Sequence, residues 1–419
     1  MQKKPSLKFP KSFLWGAATS AHQIEGGNVN QWSVWEKENA KSLATQAIYQ
    51  YGDLEHWDDI KKLATLPANY ISGKAVDHYN RYEEDFDLLE TMNMNAFRFG
   101  VEWSRIEPQE GTWNAEAITH YKEYVTELKR RNIEPVVTLF HFTLPLWFDK
   151  LGGFEKKSNI KYFTRFAEKV VRELGPQVKY IITINEPNVY AGQSYHEGLW
   201  PPQVRNKRAL RRVLKNLAKA HNAAEKTIKQ VNRRAKVSVA YNSTYIYPGD
   251  DAWLSQLTTH IIQYGTDDYF LKKIIKRCDF LGINFYFSNR VYGYRVHNPN
   301  TVTSDLGWDV SPENIEHALV RLYDKYKKPL FVLENGIADA KDSTRKSWLI
   351  KTINGMNSAM KGGVEMIGYL HWSLTDNFEW ADGRWPRFGL AEVDYRTYKR
   401  TLRPSALWFG KVIKKLRGI

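Results

Sequence analysis

Two glutamates at the ends of apolar, strand-like runs are the residues of this 419-residue chain best placed to do chemistry. Glu186 follows the run 179–184 within Thr183-Ile184-Asn185-Glu186-Pro187, and Glu334 follows the run 329–333 ahead of Asn335-Gly336. A carboxylate at a strand terminus is expensive to keep near a core unless something there uses it. Two such carboxylates facing one pocket are the equipment for breaking a glycosidic bond. One protonates the leaving oxygen, and the other attacks the sugar carbon or activates water. The plain alternative is a pair of unrelated structural carboxylates.

Other chemistries find less to work with. His196-Glu197 does not continue into a His-Glu-x-x-His motif, no Cys/His cluster is present, and no Gly-rich phosphate loop occurs. Neither a metal nor a cofactor is expected, because side chains fill both catalytic roles. Aromatic residues make up 14% of the chain, with 15 Trp and 24 Tyr. Their faces stack on the apolar faces of sugar rings, although a large aromatic core would use the same residues.

Positioning two distant glutamates needs a scaffold, and the pattern of the chain supplies one. Short apolar runs fall at 13–19, 96–101, 135–140, 180–184, 236–241, 280–285, 330–333 and 366–371. Helical periodicity lies between most of them, at 117–131, 160–173, 210–231, 313–326 and 347–361. Pro312 stands at the first turn of the fourth helix, a normal helix start. Strand and helix alternating eight times predict an α/β fold, a single (β/α)8 TIM barrel with its active site at the C-terminal strand ends. A doubly wound sheet would gather ligand contacts at one switch point only. Here polar or aromatic residues close nearly every run: Gln23 just past the first, then Arg98, His141, Asn185 with Glu186, Asn242, Asn284 with Tyr286, Glu334 and Trp372. One barrel domain over 1–419 is expected, with a long loop excursion at about 29–79 over the mouth.

Charge and cysteine usage bear on partners and compartment. The net charge is +15, from scattered basic residues such as Lys207-Arg208, Arg211-Arg212 and Lys414-Lys415. Without an aromatic-interleaved basic groove this reads as a solvated surface, and no nucleic-acid partner is expected. The one cysteine, Cys278, excludes an intramolecular disulfide and fits a reducing compartment. Lys3, Lys4 and the stretch 13–18 imitate a signal peptide, but Lys8 and Lys11 interrupt the apolar region. No run reaches the ~18 apolar residues that span a bilayer. The expectation is a soluble, cytoplasmic protein with no membrane partner; the sequence leaves the oligomeric state open.

Taken in order, these residues resemble glycoside hydrolase family 1, the β-glucosidase family, over nearly the whole chain. The resemblance rests on Phe13-Leu14-Trp15-Gly16, Gln23-Ile24-Glu25-Gly26, Phe97-Arg98-Phe99 and Glu102-Trp103-Ser104-Arg105-Ile106. It continues through Thr183-Ile184-Asn185-Glu186-Pro187, Asn284-Phe285-Tyr286 and Glu334-Asn335-Gly336. It closes with His371-Trp372-Ser373-Leu374, Asp376-Asn377-Phe378-Glu379-Trp380 and Arg387-Phe388-Gly389-Leu390. Asn-Glu-Pro alone is shared by several barrel glycosidases, whereas the ordered set is specific.

The resemblance implies a retaining β-glycosidase, most simply a β-glucosidase, acting on small β-glycosides or oligosaccharides. It makes Glu186 the acid/base and Glu334 the nucleophile, with carboxyls about 5–5.5 Å apart. Arg98 and Tyr286 would orient and stabilise Glu334. Glu186 would then be the carboxyl that keeps a proton, since two close carboxylates do not both ionise cheaply. Asn185 would bond the sugar 2-hydroxyl. Gln23, His141, Glu379 and Trp380 match glycone contacts, Trp372 a stacking platform, and Trp308 a wall toward the leaving group. Asn284, Tyr286 and Phe388 complete the substrate-binding set. For the tryptophans the alternative is a core position, and for His141 a satisfied core histidine.

Departures from the family pattern are informative. His141-Phe142 replaces the usual His-Trp, so one donor to the sugar 3-hydroxyl is lost. Gly198-Leu199-Trp200-Pro201-Pro202 replaces a more usual Ala-Pro-Gly ending, and Trp200 is expected to reshape the mouth. The segment between Tyr286 and Trp308 is short. A 6-phospho-β-glycosidase is the nearest rival, and it needs a cationic pocket where Glu379 stands. An endo-acting cellulase-type barrel would have little use for the aromatic residues after the eighth strand. A non-catalytic sugar-binding barrel would be free to lose one glutamate, and both are present.

Overall fold

The eight apolar runs are strands, and they close on one another. A computed structural model describes residues 7–419. Its barrel strands are β1 (Leu14–Ala18), β2 (Ala96–Gly100), β3 (Glu134–Phe140), β4 (Tyr180–Asn185), β5 (Lys236–Asn242), β6 (Leu281–Asn284), β7 (Leu330–Glu334) and β8 (Met366–Trp372). They pair in parallel in chain order, and β8 pairs with β1 to shut the ring. Closure excludes the doubly wound sheet. Lys3 and Lys4, part of the leader reading set aside above, lie outside the described residues.

Each strand is buried on both sides, which is why the runs read as continuously apolar rather than alternating. Alternate residues serve two cores. Val136, Ile182, Phe331, Leu333 and Leu370 fill the barrel interior, while Val137, Ile181, Val332 and Tyr369 pack outward. The outer layer is amphipathic helix. Ile160–Leu174 buries Phe163, Phe166, Ala167, Val170, Val171 and Leu174, a stripe at three- and four-residue spacing. Lys207–Val231 packs beside it, and the Asn206 side chain caps its start by accepting from the Arg208 and Ala209 amides.

The excursion after β1 is largely helical, not looped. It holds the helix Gln31–Tyr51, a second at Trp57–Ala64 and a 3-10 turn at Pro67–Tyr70. Asn30 caps the long helix in a reciprocal box with Ser33, so an Asn-x-x-Ser start does what an acidic third residue does elsewhere. Trp32 and Trp35 anchor it in the aromatic core. Among the described residues no helix is long and apolar enough to cross a membrane.

Candidate active site

Both glutamates sit where a strand breaks its own alternation. On β4 the register against β5 shifts between Ile182 and Asn185. Thr183 then points outward to His221 of the helix Lys207–Val231 (2.7 Å), and Ile184 also packs outward. That leaves Asn185 facing in, bonded to Arg98. On β7 the register against β6 shifts between Val332 and Glu334, so Leu333 and Glu334 both serve the interior. An extra residue at a strand end re-aims a side chain. Glu186 itself adopts a left-handed backbone (φ 37°, ψ 62°) as it caps the helix Pro187–Gly192. A non-glycine residue held there stores strain that its surroundings must offset.

Behind Glu334, the Glu-Asn-Gly string has a physical reason for each residue. Asn335 accepts from Trp348 Nε1 and the Tyr369 hydroxyl, both at 3.1 Å, and its amide donates to the Phe285 carbonyl at 2.5 Å. It therefore ties β7 to its neighbours just beyond the carboxylate. A Cβ on Gly336 would lie 1.8 Å from the Trp372 carbonyl oxygen, so only glycine lets β7 and β8 approach there.

Glu334 is gripped at both oxygens. Arg98 Nη1 donates to Oε1 at 2.6 Å and the Tyr286 hydroxyl to Oε2 at 2.7 Å. Burial pushes the Glu334 carboxyl up, and Arg98 and Tyr286 pull against it. Among the described residues Glu186 has no cation in contact. Asn242 and Asn284 each donate an amide hydrogen to its Oε1 at 2.9 Å, which leaves Oε2 to carry a proton. Burial first, and then the charge of Glu334, raise Glu186 to about 7. Of the two, only Glu334 has a bonded cation set against the upward push of burial.

Arg98 also fixes the neighbouring amide. Its Nη2 donates to Asn185 Oδ1 at 2.6 Å, so Asn185 Nδ2 must be the atom 2.9 Å from His141 Nε2. His141 then accepts at Nε2 and carries its hydrogen on Nδ1, which has no protein partner. Burial, with help from Arg98, holds the His141 pKa well below the ordinary value, so the imidazole is neutral.

Above this floor opens a cavity of about 550 Å³. Glu186, Glu334, His141, Tyr286, Trp308, Trp372, Glu379, Trp380 and Phe388 line it. Gln23, Arg98, Asn185 and Asn284 do not; they stand behind those residues and bond to them or their neighbours. Gln23 Nε2, for example, donates to Asn377 Oδ1 (3.0 Å) and the Phe378 carbonyl (2.9 Å), and lies 3.5 Å from Glu379 Oε2. The His141 ring lies nearly parallel to both Trp372 and Trp380, with centroids 6.0 and 5.9 Å away. Trp308 and Phe388 stand across the cavity beside Tyr286.

Sequence reasoning left some lining residues out. Asn242 had the right signal, a polar residue at a strand end, yet was not placed in the site. Tyr51 of the long excursion helix hydrogen-bonds Asp382, and both face the cavity. Burial raises Asp382 to about 6; the burial of Glu379 itself, and then the charge of Asp382, lift the Glu379 carboxyl well above the usual range. Nothing in one sequence links position 51 to position 382. Phe142 is buried between Trp200 and Trp380, each 5.1 Å away, so Trp200 occupies the space beside it. Among the described residues no Lys or Arg lines the cavity.

Comparison with known proteins gives concordant results. The model of Glycosyl hydrolase family 1 matches residues 6–276 and 254–417. The chain is 28% identical to beta-glucosidase A of Thermotoga maritima, over 97% of this chain and 98% of that protein. It is also 28% identical to a 6-phospho-beta-galactosidase of Clostridium acetobutylicum, over 96% of each. Among solved structures, a beta-glycosidase from Pyrococcus horikoshii superimposes with a TM-score of 0.84 at 34% identity, covering 97% of this chain and 95% of that one.

Proposed function

The chain belongs to glycosyl hydrolase family 1 and is a glycoside hydrolase, and from that premise we propose that it is a cytoplasmic, retaining β-glucosidase acting on small β-glycosides. The observation that carries the assignment of roles is the unequal treatment of two buried carboxyls. Glu334 is held by a guanidinium and a phenol, while Glu186 receives only amides and rises to about 7.

The chemistry follows from that inequality. A Glu334 oxygen attacks the anomeric carbon as the bond to the aglycone oxygen breaks, and the Glu186 proton passes to that oxygen. The aglycone leaves as an alcohol, and the sugar remains as an ester of Glu334. The Glu186 left by that transfer is a carboxylate, and with the Glu334 charge gone it is free of the repulsion that had helped to raise it, so it stays ionised and acts as base. It takes a proton from water, the hydroxide oxygen bonds to the anomeric carbon, and the ester breaks to free Glu334. Two inversions give net retention. His141, which lines the cavity, is suited to a sugar hydroxyl: its Nδ1 hydrogen awaits an acceptor, and Asn185 behind it holds the ring by donating to Nε2. Trp372 and Trp380 offer faces for the sugar ring.

Azide trapping tests the roles. Glu334→Ala in the presence of azide should give the α-glycosyl azide from a substrate with a good leaving group. Glu186→Ala should give the β-glycosyl azide. Product NMR decides: interchanged anomers reverse the roles, and α-sugar as the first product of the wild type overturns retention.

The relative that acts on a phosphosugar supports a second reading, a 6-phospho-β-glycosidase. The cavity argues against it. A phosphate dianion would meet Glu379 and Asp382 and, among the described residues, no lining cation.

A further inference from the structure

The helix Trp253–Gln263 is packed the wrong way round for a helix facing water. Its buried residues are Ser255, Thr259 and Gln263. These are occupied: Ser255 Oγ accepts from the Gly293 amide at 2.7 Å, Thr259 Oγ1 donates to the Ser255 carbonyl, and Gln263 Nε2 donates to Asp267. The outward face carries Trp253 (72% exposed), Leu257 (47%) and Ile261 (62%), with Tyr264 (50%) one turn further on. Spacings of four, four and three residues put them on one stripe.

The stripe is continuous with a second apolar element. The Gly293–Ser255 bond seats the turn between the strands Ser288–Tyr292 and Arg295–Val296 against this helix. That turn adds Tyr294 (72% exposed) and Val296 (48%) to the patch. Together with the stripe they make one apolar surface of six side chains, each about half or more exposed. A patch of this kind on a water-facing surface marks a place where something docks.

Charge at the two ends of the stripe says what the partner is. Asp250 and Asp251 are exposed just before Trp253. Beyond the other end, Lys272 Nζ lies 4.9 Å from the Tyr264 ring. Lys273 is beside it, its ammonium over the Tyr269 ring, and burial, then the charges of Lys215 and Lys272, lower the Lys273 pKa. Lys215, Lys272 and Lys273 form no ion pair among the described residues. An acidic head and a basic tail on one apolar stripe complement a second copy of the same stripe laid antiparallel. We propose that the face formed by the helix Trp253–Gln263 and the turn at Gly293 is the two-fold interface of a homodimer, with Asp250 and Asp251 of each copy against Lys272 and Lys273 of the other.

An anionic lipid surface is a poorer fit, because the Asp250–Asp251 end would be repelled. The interface stands apart from the catalytic floor, so activity and assembly separate in the test. Sedimentation equilibrium of the wild-type chain should give twice the monomer mass. Ile261→Asp should give the monomer mass, with an unchanged circular dichroism spectrum and unchanged hydrolysis of an aryl β-glucoside. Lys272→Glu with Lys273→Glu should weaken dimerisation at least about tenfold. Adding Asp250→Lys and Asp251→Lys to that variant should restore it, a rescue that simple apolar stickiness would not show. A monomeric wild type overturns the proposal, as does a dimer indifferent to Ile261→Asp or a fourfold reversal that fails to rescue. Wild-type chain that stays monomeric but co-sediments with anionic phosphatidylglycerol vesicles would assign the face to a lipid surface instead.

Discussion

The floor of the cavity and its outer wall are built by different rules. On the floor, Glu186, Glu334, Arg98, Asn185 and Asn284 come from strand ends, and each polar group is set by hydrogen bonds to the next. On the wall, Leu43, Tyr51, Leu54, Trp200 and Leu306 come from the excursion helix and connecting segments, and packing sets most of them. The floor therefore tolerates almost no change of chemistry, whereas the wall tolerates changes of shape. Substitutions that break this contrast, or sharpen it, follow in order of size.

Arg98→Met strikes the floor at its hub. It leaves a buried Glu334 charge without its cation and frees Asn185, so kcat/KM should fall by the equivalent of about 3–5 kcal/mol. Circular dichroism must show a folded protein. A loss under tenfold would mean that Tyr286 alone suffices to hold Glu334, the proposed nucleophile. The acidic character of the glycone end predicts the next effect. An aryl β-glucoside should be cleaved at least about a hundredfold better than its 6-phosphate, judged by kcat/KM, since a phosphate buried there would find no lining cation among the described residues and an unpaired buried charge costs several kcal/mol. A preference for the phosphate would replace the proposed function with its rival.

A third effect belongs to Glu186 in its proposed role as acid/base. Glu186 must be protonated to act on a poor leaving group, and its pKa is raised from 4.5 to about 7. The kcat/KM for an alkyl β-glucoside should therefore fall about tenfold per pH unit above 7. The linkage has the same sign. Between 4.5 and about 7 the folded chain keeps a proton that the unfolded chain releases, so the stability from this group is lost as pH rises through that window. Glu186→Gln should flatten both the Tm profile and the rate profile there; an unchanged basic limb in that variant would point to another group.

The smallest effect probes the wall. From sequence, Phe142→Trp would supply a missing donor to the sugar, worth about 0.5–1.5 kcal/mol. The structure reverses that expectation, because Trp200 and Trp380 already enclose Phe142. The single change should lower stability by about 1–3 kcal/mol through overpacking. In combination with Trp200→Ala it should be tolerated, a coupling that a double-mutant cycle in urea would measure. Additive effects would show that the two rings do not share one space.

These contrasts also explain what was legible in advance. Every barrel strand lies within one residue of the limits its apolar run suggested, since burial on both faces leaves a sharp compositional edge. The floor was legible for the same reason: a polar residue closing a buried strand is conspicuous. The two register shifts were not, because a bulge depends on the neighbouring strand and leaves no mark in a single run. The excursion was harder still. Its long helix exposes Val34, Ile48 and Tyr49, so its apolar periodicity is blurred. Contacts such as Tyr51 with Asp382 join positions that nothing local connects.

Closure of the sheet into a ring carries a consequence for how such a molecule can change. The gap between Glu186, just past β4, and Glu334 on β7 is spanned by two intervening strands locked to both neighbours, not by any segment at the mouth. Insertions, deletions and new aromatic residues in the rim can therefore accumulate without altering the interval that decides the stereochemistry of the product. Heritable variation in what is cleaved is uncoupled from how it is cleaved, and a designer can treat the rim as replaceable parts on a fixed chassis.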